Sequence, residues 1–111
     1  MLIVFSVFIG CDSSETVVDN QSTLLKIIAK NSDATPAIGA HIFVNYTSSG
    51  NLIVVDFGYT DNNGIVIETI PSNINLILEA YDNSGLLLLQ QNIPAFQDTK
   101  STFYTIIPSI D

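Results

Sequence analysis

Residues 52–70, LIVVDFGYTDNNGIVIETI, are the stretch that decides the fold of this chain. Positions 52–59 and 65–70 are mostly apolar, and the turn sequence Asp61-Asn62-Asn63-Gly64 lies between them. An Asn-Gly pair adopts the positive φ angles that a tight hairpin requires. Short runs rich in Val, Ile and aromatic residues, bounded by Gly, Asn and Asp, are typical of β-strands. The stretch therefore predicts two strands joined by a hairpin turn.

The same alternation of short apolar runs and turn residues continues on both sides of this segment. No helical period is sustained over two turns after residue 22. Strands are predicted over residues 23–31, 40–47, 52–59, 65–70, 74–81, 86–93 and 102–107. Short strands at nearly regular spacing, separated by Gly, Asn, Pro and Asp, favour an all-β fold. We expect a seven-stranded antiparallel β-sandwich.

An apolar run at residues 1–9 leads into Gly10 and Cys11, the only cysteine of the chain. The run is too short for a membrane-spanning helix, which needs roughly 20 apolar residues, and fits a signal h-region of about 7–15. The arrangement resembles the lipobox of bacterial lipoproteins. The resemblance implies that residues 1–10 are removed as a signal peptide and that Cys11 carries acyl chains. No Lys or Arg precedes the run, so an uncleaved strand or a signal without lipidation stays the alternative.

The lipobox resemblance divides the chain into three parts and indicates where in the cell it is located. Residues 1–10 are the expected signal, residues 11–22 hold the lipidated Cys11 and a flexible polar tether, and residues 23–111 form the β-sandwich. Acidic residues just after a lipidated Cys resemble sorting signals, for inner-membrane retention in enterobacteria and for surface display in other Gram-negative phyla. We expect a cell-envelope lipoprotein, periplasmic or surface-exposed, with the outer membrane favoured over the inner.

The charge balance is strongly acidic, with 3 basic and 11 acidic residues and a net charge of −8. Clustered Lys and Arg are needed to neutralise phosphates, so nucleic acid is not an expected partner. The same balance disfavours tight peripheral binding to anionic lipid headgroups. The expected contact with the membrane is therefore the lipid anchor at Cys11, where two or three acyl chains would hold the chain stably.

The domain is similar in sequence to the carboxypeptidase regulatory-like domains. The similarity lies in three motifs, at residues 39–44 (GAHIFV), 59–64 (YTDNNG) and 70–71 (IP) before the strand at 74–81. It covers about residues 24–107 and implies a transthyretin-like, prealbumin-type member of the Ig-like sandwiches. Glu68 departs from the family pattern, which has an apolar residue at that place. Either a bulge at Glu68 or an inward placement of Ile65 and Ile67 would accommodate it.

Few side chains in the sequence could perform catalysis or bind a metal. The chain has no Arg, and His41 is its single histidine. A catalytic histidine needs a nucleophile and an orienting carboxylate beside it, and we expect His41 to be a solvent-facing strand residue. Residues 59–70 lack the acidic ligands that a calcium loop has at its first and twelfth positions, where Tyr59 and Ile70 stand. No catalytic, cofactor-binding or metal-binding residue is therefore predicted, and the chain is expected not to be an enzyme.

Residues 86–89 are all leucine, which places leucines on both faces of one predicted strand. Such a strand is either covered on both faces or forms part of an interface. A packed loop or neighbouring strand is one explanation, and contact of Leu86 and Leu88 with another protein is the other.

Two classes of function follow from these observations. The first is a lipid-anchored, non-enzymatic binding or assembly module with a protein partner in the envelope and no cofactor. The second is a regulatory or accessory domain of a secreted peptidase or glycan-processing system, or a carbohydrate-binding surface module. The chain lacks Trp, but its tyrosines could stack on sugars, so a glycan stays among the expected ligands.

Overall fold

The computed structural model describes residues 21–108, and these residues form seven strands. The strands are β1 Ser22–Asn31, β2 His41–Ser48, β3 Asn51–Tyr59, β4 Ile65–Pro71, β5 Leu76–Tyr81, β6 Leu87–Ile93 and β7 Lys100–Ile107. All seven predicted strands are confirmed, with ends shifted by a few residues. No helix of residues 21–108 is long and apolar enough to cross a membrane. The predicted signal peptide and Cys11 lie outside the described residues.

The strands form two sheets, in the orders β4-β1-β7 and β3-β2-β5-β6. The all-β sandwich is thereby confirmed, with one correction to its expected antiparallel pairing, because β1 and β7 run parallel. In an immunoglobulin constant domain the first, second, fourth and fifth strands share a sheet. The order found here is different, and the transthyretin-like alternative stays a prediction.

The core lies between the inward faces of the two sheets. In β1 the side chains of Leu25, Ile27 and Ala29 are completely buried, and they alternate with outward residues. In β2 and β5 the completely buried positions are Ile42, Val44, Leu78 and Ala80. Complete burial of one Leu or Ile side chain contributes about 1.5–3 kcal/mol. The two-residue period of the sequence therefore fixes which face of each sheet is free for contact with other molecules.

The turn at residues 61–64 is not a hairpin, and that prediction was wrong. The turn leaves β3 in the four-stranded sheet and enters β4 in the three-stranded sheet. Gly64, with φ of 76°, accepts a hydrogen bond of 2.8 Å from the Ala29 N–H of β1. This bond starts β4 beside β1, so the chain crosses from one sheet to the other.

A buried hydroxyl beside this turn fixes the crossing. Thr60 is 4 % exposed, donates to the Ala37 carbonyl at 2.5 Å and accepts from the Ala40 N–H at 2.9 Å. Both partners belong to the segment that leads into β2. Thr60 therefore ties the end of β3 to the start of its neighbouring strand.

Glu68 is accommodated in neither of the two ways that the sequence suggested. The pairing of β1 with β4 runs without a bulge, and Glu68 lies opposite Leu25. Ile67 is 47 % exposed, on the outer face of the sheet. Glu68 lies on the same side of β4 as the buried Val66 and Ile70 but is itself exposed. Because β4 is an edge strand, the Glu68 carboxylate can reach water.

Candidate functional site

Aromatic and charged side chains interact across the outer face of the four-stranded sheet. We call this group the aromatic face, and its members are Asp56, Tyr59, His41, Phe43, Glu79, Tyr81 and Gln90. His41 lies opposite Tyr59 on one side and Tyr81 on the other. The next row places Phe43 between Asp56 and Glu79. Residues from all four strands therefore meet on one surface.

His41 is the centre of the first row. It lies on the outer, solvent-facing side of β2, as the sequence predicted, and it is packed between neighbouring side chains. Its Nε2 lies 2.8 Å from Asp56 Oδ1. Its ring stacks on Tyr59 at a centroid distance of 4.2 Å and contacts Phe43 at 4.3 Å. The hydrogen bond with His41, followed by one from the Gly58 N–H, lowers the pKa of Asp56 below its usual value. The imidazole is half-buried and held in one orientation.

A β-bulge brings Asp56 and Tyr59 to the same face. In a regular strand these two residues would point to opposite faces, because the side-chain period is two. Ile42 pairs with Gly58 and Phe43 pairs with Asp56, which leaves Phe57 as the extra residue. Gly58 has a φ of 85°, and its N–H donates to Asp56 Oδ1 at 2.7 Å. The bulge turns Phe57 into the core and both polar residues outward.

Glu79 organises the second half of the aromatic face. Its Oε1 accepts from the Tyr81 hydroxyl at 3.1 Å, and its Oε2 accepts from the Gln90 amide at 3.0 Å. The bond to Glu79 raises the pKa of Tyr81, because a phenolate there would face a carboxylate. Tyr81 also meets the Phe43 ring edge-on, at 5.6 Å and 85°. Both carboxylates of the face thus hold neighbouring side chains in place.

The aromatic face contains an imidazole–carboxylate pair but, within residues 21–108, no nucleophile bonded to it. His41 with Asp56 reproduces the base and orienting carboxylate of a nucleophilic site. Among the hydrogen bonds of residues 21–108, however, none joins His41 to a hydroxyl or thiol that could serve as nucleophile. Within the same residues, no three His, Cys, Asp or Glu side chains are grouped to hold a metal ion. That the chain is not an enzyme stays a prediction.

A cleft of about 700 Å³ lies at one end of the four-stranded sheet, beside the aromatic face. Three amide side chains line it, those of Asn45, Asn75 and Asn92, together with Tyr46 and aliphatic residues. Asn45 is only 7 % exposed, and its Oδ1 has no hydrogen-bond partner. Leaving a buried acceptor unpaired costs about 1–3 kcal/mol. The cleft therefore contains a polar group that the described part of the chain does not satisfy.

Leu86 and Leu88 do not form the shared outward surface that the sequence suggested. Leu86 is 62 % exposed and lies in the turn before β6, where its N–H donates to Asp82 Oδ1 at 2.9 Å. The register between β5 and β6 is irregular at this point. Leu87 pairs with Tyr81 and Leu89 pairs with Ala80, which leaves Leu88 without a partner residue in β5. Leu88 packs against the hydrophobic core. Of the two, only Leu86 is available for contact with another protein.

The sequence reasoning missed both carboxylates of the aromatic face, Asp56 and Glu79. Asp56 interrupts an apolar strand, which is a signal that could have been weighed, but its direction depends on the bulge. Glu79 alternates with core residues in the sequence, so its outward position was predictable, whereas its two partners depend on strand pairing.

Compared with protein-family models and with curated proteins, the sequence matches none. Function is therefore inferred from the aromatic face, the cleft and the sequence motifs.

Proposed function

We propose that this protein is a non-enzymatic, lipid-anchored binding or assembly module of the bacterial cell envelope. The aromatic face is the observation that carries the proposal. Tyr59, 57 % exposed, stacks on His41 and presents its ring to solvent. Side chains that are already fixed by stacking and hydrogen bonds lose little conformational freedom on binding. Tyrosine is also enriched where proteins contact one another, and a protein partner in the envelope fits this surface.

The anchor in this proposal is Cys11, and its support is the lipobox-like sequence before it. The location is the cell envelope, with the outer membrane favoured over the inner. A Cys11→Ser variant produced in a Gram-negative host should lose its acyl mass and leave the membrane fraction. A variant that stays membrane-bound at unchanged mass would contradict lipidation. Cofactors and nucleic acid have no part in the proposed function.

The contact surface is tested by two tyrosines on opposite outer faces. Tyr59 lies on the aromatic face, and Tyr104, 66 % exposed, lies on the outer face of the three-stranded sheet. Tyr59→Ala should abolish cross-linking to an envelope partner, and Tyr104→Ala should leave it unchanged. Equal effects of the two variants would remove the aromatic face from the proposal. A cross-linked peptidase or glycan-processing enzyme would identify the chain as its accessory domain.

Glycan binding in the cleft is the second candidate function, and the unpaired Oδ1 of Asn45 favours it. This Oδ1 is closed to water in the structure, and a rotation of the Asn45 amide toward the cleft would let a sugar hydroxyl donate to it, while the other amides and Tyr46 surround the ring. The aliphatic variant Asn45→Leu removes the unpaired group and should keep or raise the free energy of unfolding. Calorimetry with envelope polysaccharides should then show that binding is lost. An Asn45→Leu variant that binds glycan like the wild type would overturn this candidate.

A further inference from the structure

The three lysines of the chain, which has no Arg, lie on one surface. This surface is the outer face of the three-stranded sheet, which we call the lysine face. Lys26 and Lys30 alternate with the buried Ile27 and Ala29 of β1, and Lys100 opens β7. Strand pairing gives the members of the face as Leu24, Lys26, Ile28, Lys30, Ile65, Ile67, Thr69, Lys100, Thr102, Tyr104 and Ile106. The chain's formal positive charge is thus gathered on one side of the sandwich.

The lysine face contains no carboxylate. The ion pair that the described residues contain joins His41 and Asp56, on the other sheet, so within residues 21–108 the lysines have no acidic partner. Beside the lysines, the face exposes large apolar side chains, with Ile67 at 47 %, Tyr104 at 66 % and Ile106 at 63 %. A flat surface of cationic and apolar side chains complements an anionic lipid interface, since lysine stems extend along apolar groups while their ammonium groups reach headgroups.

We propose that the lysine face rests on the anionic lipid headgroups of the membrane that holds the chain. This inference rests on the proposed lipid anchor and assigns the anchored domain an orientation, with the aromatic face turned away from the membrane. Each lysine near an anionic surface contributes a factor of about five to the partition coefficient. The net charge of −8 opposes binding of the free domain to an anionic membrane. In the anchored chain, however, the lipid already holds the domain at a high effective concentration near the surface. The lysines then determine only which side of the domain faces the membrane.

A lipid surface explains the lysine face better than a second copy of the chain. A two-fold symmetric contact would place the lysines of one copy against those of the other. A contact between the lysine face and the acidic aromatic face would be heterologous and would build rings or filaments, in which the proposed binding surface is hidden. The central strand of the lysine face, β1, is also the first strand of the described residues.

The orientation can be measured on the acylated protein in nanodiscs of POPC with or without the anionic lipid POPG. Thr102→Cys places a fluorescent label on the lysine face, and Asn92→Cys places one on the exposed side of β6. With POPG, quenching by headgroup-labelled lipid should be at least about five-fold stronger at residue 102 than at residue 92. The difference should shrink in POPC alone and at high salt. Equal quenching at the two positions in POPG would overturn the proposal.

Two triple variants with the same change in net charge separate the lysine face from overall charge. The first is Lys26→Gln with Lys30→Gln and Lys100→Gln, and it should abolish the quenching difference. The control is Thr47→Glu with Asn51→Asp and Asn75→Asp, exposed positions at the other sheet, and it should keep the difference. Loss in both variants alike would refute a specific lysine face. A dimer in detergent solution in which residue 102 is shielded would also refute it, because a second copy of the chain would then cover the lysine face.

If the chain is not acylated, its measured mass lacks the acyl groups, so an incorrect anchor proposal can be told apart from an incorrect lysine-face proposal. In that case the two triple variants of the unacylated chain are compared on POPG and POPC vesicles. Weaker POPG binding of the lysine variant alone would still support the lysine face, and equal binding would overturn it.

Discussion

Gly64 and Gly85 occupy the same position in two turns with the same local structure. The turns are Asp61-Asn62-Asn63-Gly64 and Asp82-Asn83-Ser84-Gly85. In each, the glycine N–H donates to the aspartate carbonyl, at 2.9 Å and 3.1 Å, and φ is 76° and 91°. A Cβ at Gly85 would meet nothing within 4 Å. A Cβ at Gly64 would collide with the Ala29 carbonyl oxygen, so the two glycines are a matched pair for substitution by alanine.

The expected cost of Gly64→Ala exceeds that of Gly85→Ala by about 2 kcal/mol. Alanine at positive φ costs about 1–2 kcal/mol, and this term is common to both positions. At Gly64 the backbone must also move away from Ala29. That movement weakens the 2.8 Å bond from the Ala29 N–H to Gly64 and the 3.0 Å bond from the Ala37 N–H to Ala29. Each such bond contributes about 1 kcal/mol.

Urea unfolding of the two variants, followed by far-UV circular dichroism, measures this difference. The chain has no Trp, so the β-sheet signal is the suitable probe. A difference of about 2 kcal/mol corresponds to a separation of roughly 8–16 °C in Tm for a domain of this size. Equal destabilisation by the two substitutions would refute the role of Gly64 in the crossing between sheets. A larger loss in Gly85→Ala would do so as well.

Two further predictions concern the leucines and the turn carboxylates. Leu88→Ala should lower the free energy of unfolding by about 1–2 kcal/mol, because Leu88 packs on the core. Leu86→Ala should change the free energy of unfolding by less than about 0.5 kcal/mol. Urea unfolding measures both variants, and a larger loss in Leu86→Ala than in Leu88→Ala would contradict the packing of Leu88 on the core. The pKa of Asp61 is lowered chiefly by the Ile65 N–H, and that of Asp82 chiefly by the Ser84 hydroxyl. Groups with a lowered folded pKa stabilise the protein above the unfolded value of about 4 and lose this effect as pH falls through the folded pKa. Unfolding measured from about pH 6 to about pH 3 should therefore show falling stability, and constant or rising stability would contradict these hydrogen bonds.

The strands were predictable because each depends on neighbours within a few residues. In β1 the strict alternation of Leu25, Ile27 and Ala29 with Lys26 and Lys30 already determines the buried and exposed faces. The aromatic face was only partly predictable. The outward positions follow from alternation in β2 and β5, but the bulge in β3 breaks the period and cannot be placed from the local sequence.

The two turns that begin with Asp and end with Gly show that the local sequence does not determine which strands a turn connects. Their sequences determine the same backbone turn, in which the aspartate carboxylate accepts from the N–H groups two and four residues later. One turn joins β5 to β6 within a sheet, and the other carries the chain from β3 to β4 across the sandwich. The difference lies in Ala29, far away in the sequence, whose N–H donates to the Gly64 carbonyl and so pairs the start of β4 with β1 in the other sheet.

The sequence by itself determined the strands, the turn residues, the net charge and the buried side of the regularly alternating strands such as β1 and β5. Only the tertiary structure decided which strands are neighbours. Strand pairing set His41 against Asp56 and gathered Lys26, Lys30 and Lys100 on one face, although the net charge alone predicted repulsion from an anionic membrane. The physical reason is that alternation is a property of one strand, whereas a surface is made of several, and their order is chosen by backbone hydrogen bonds between distant residues.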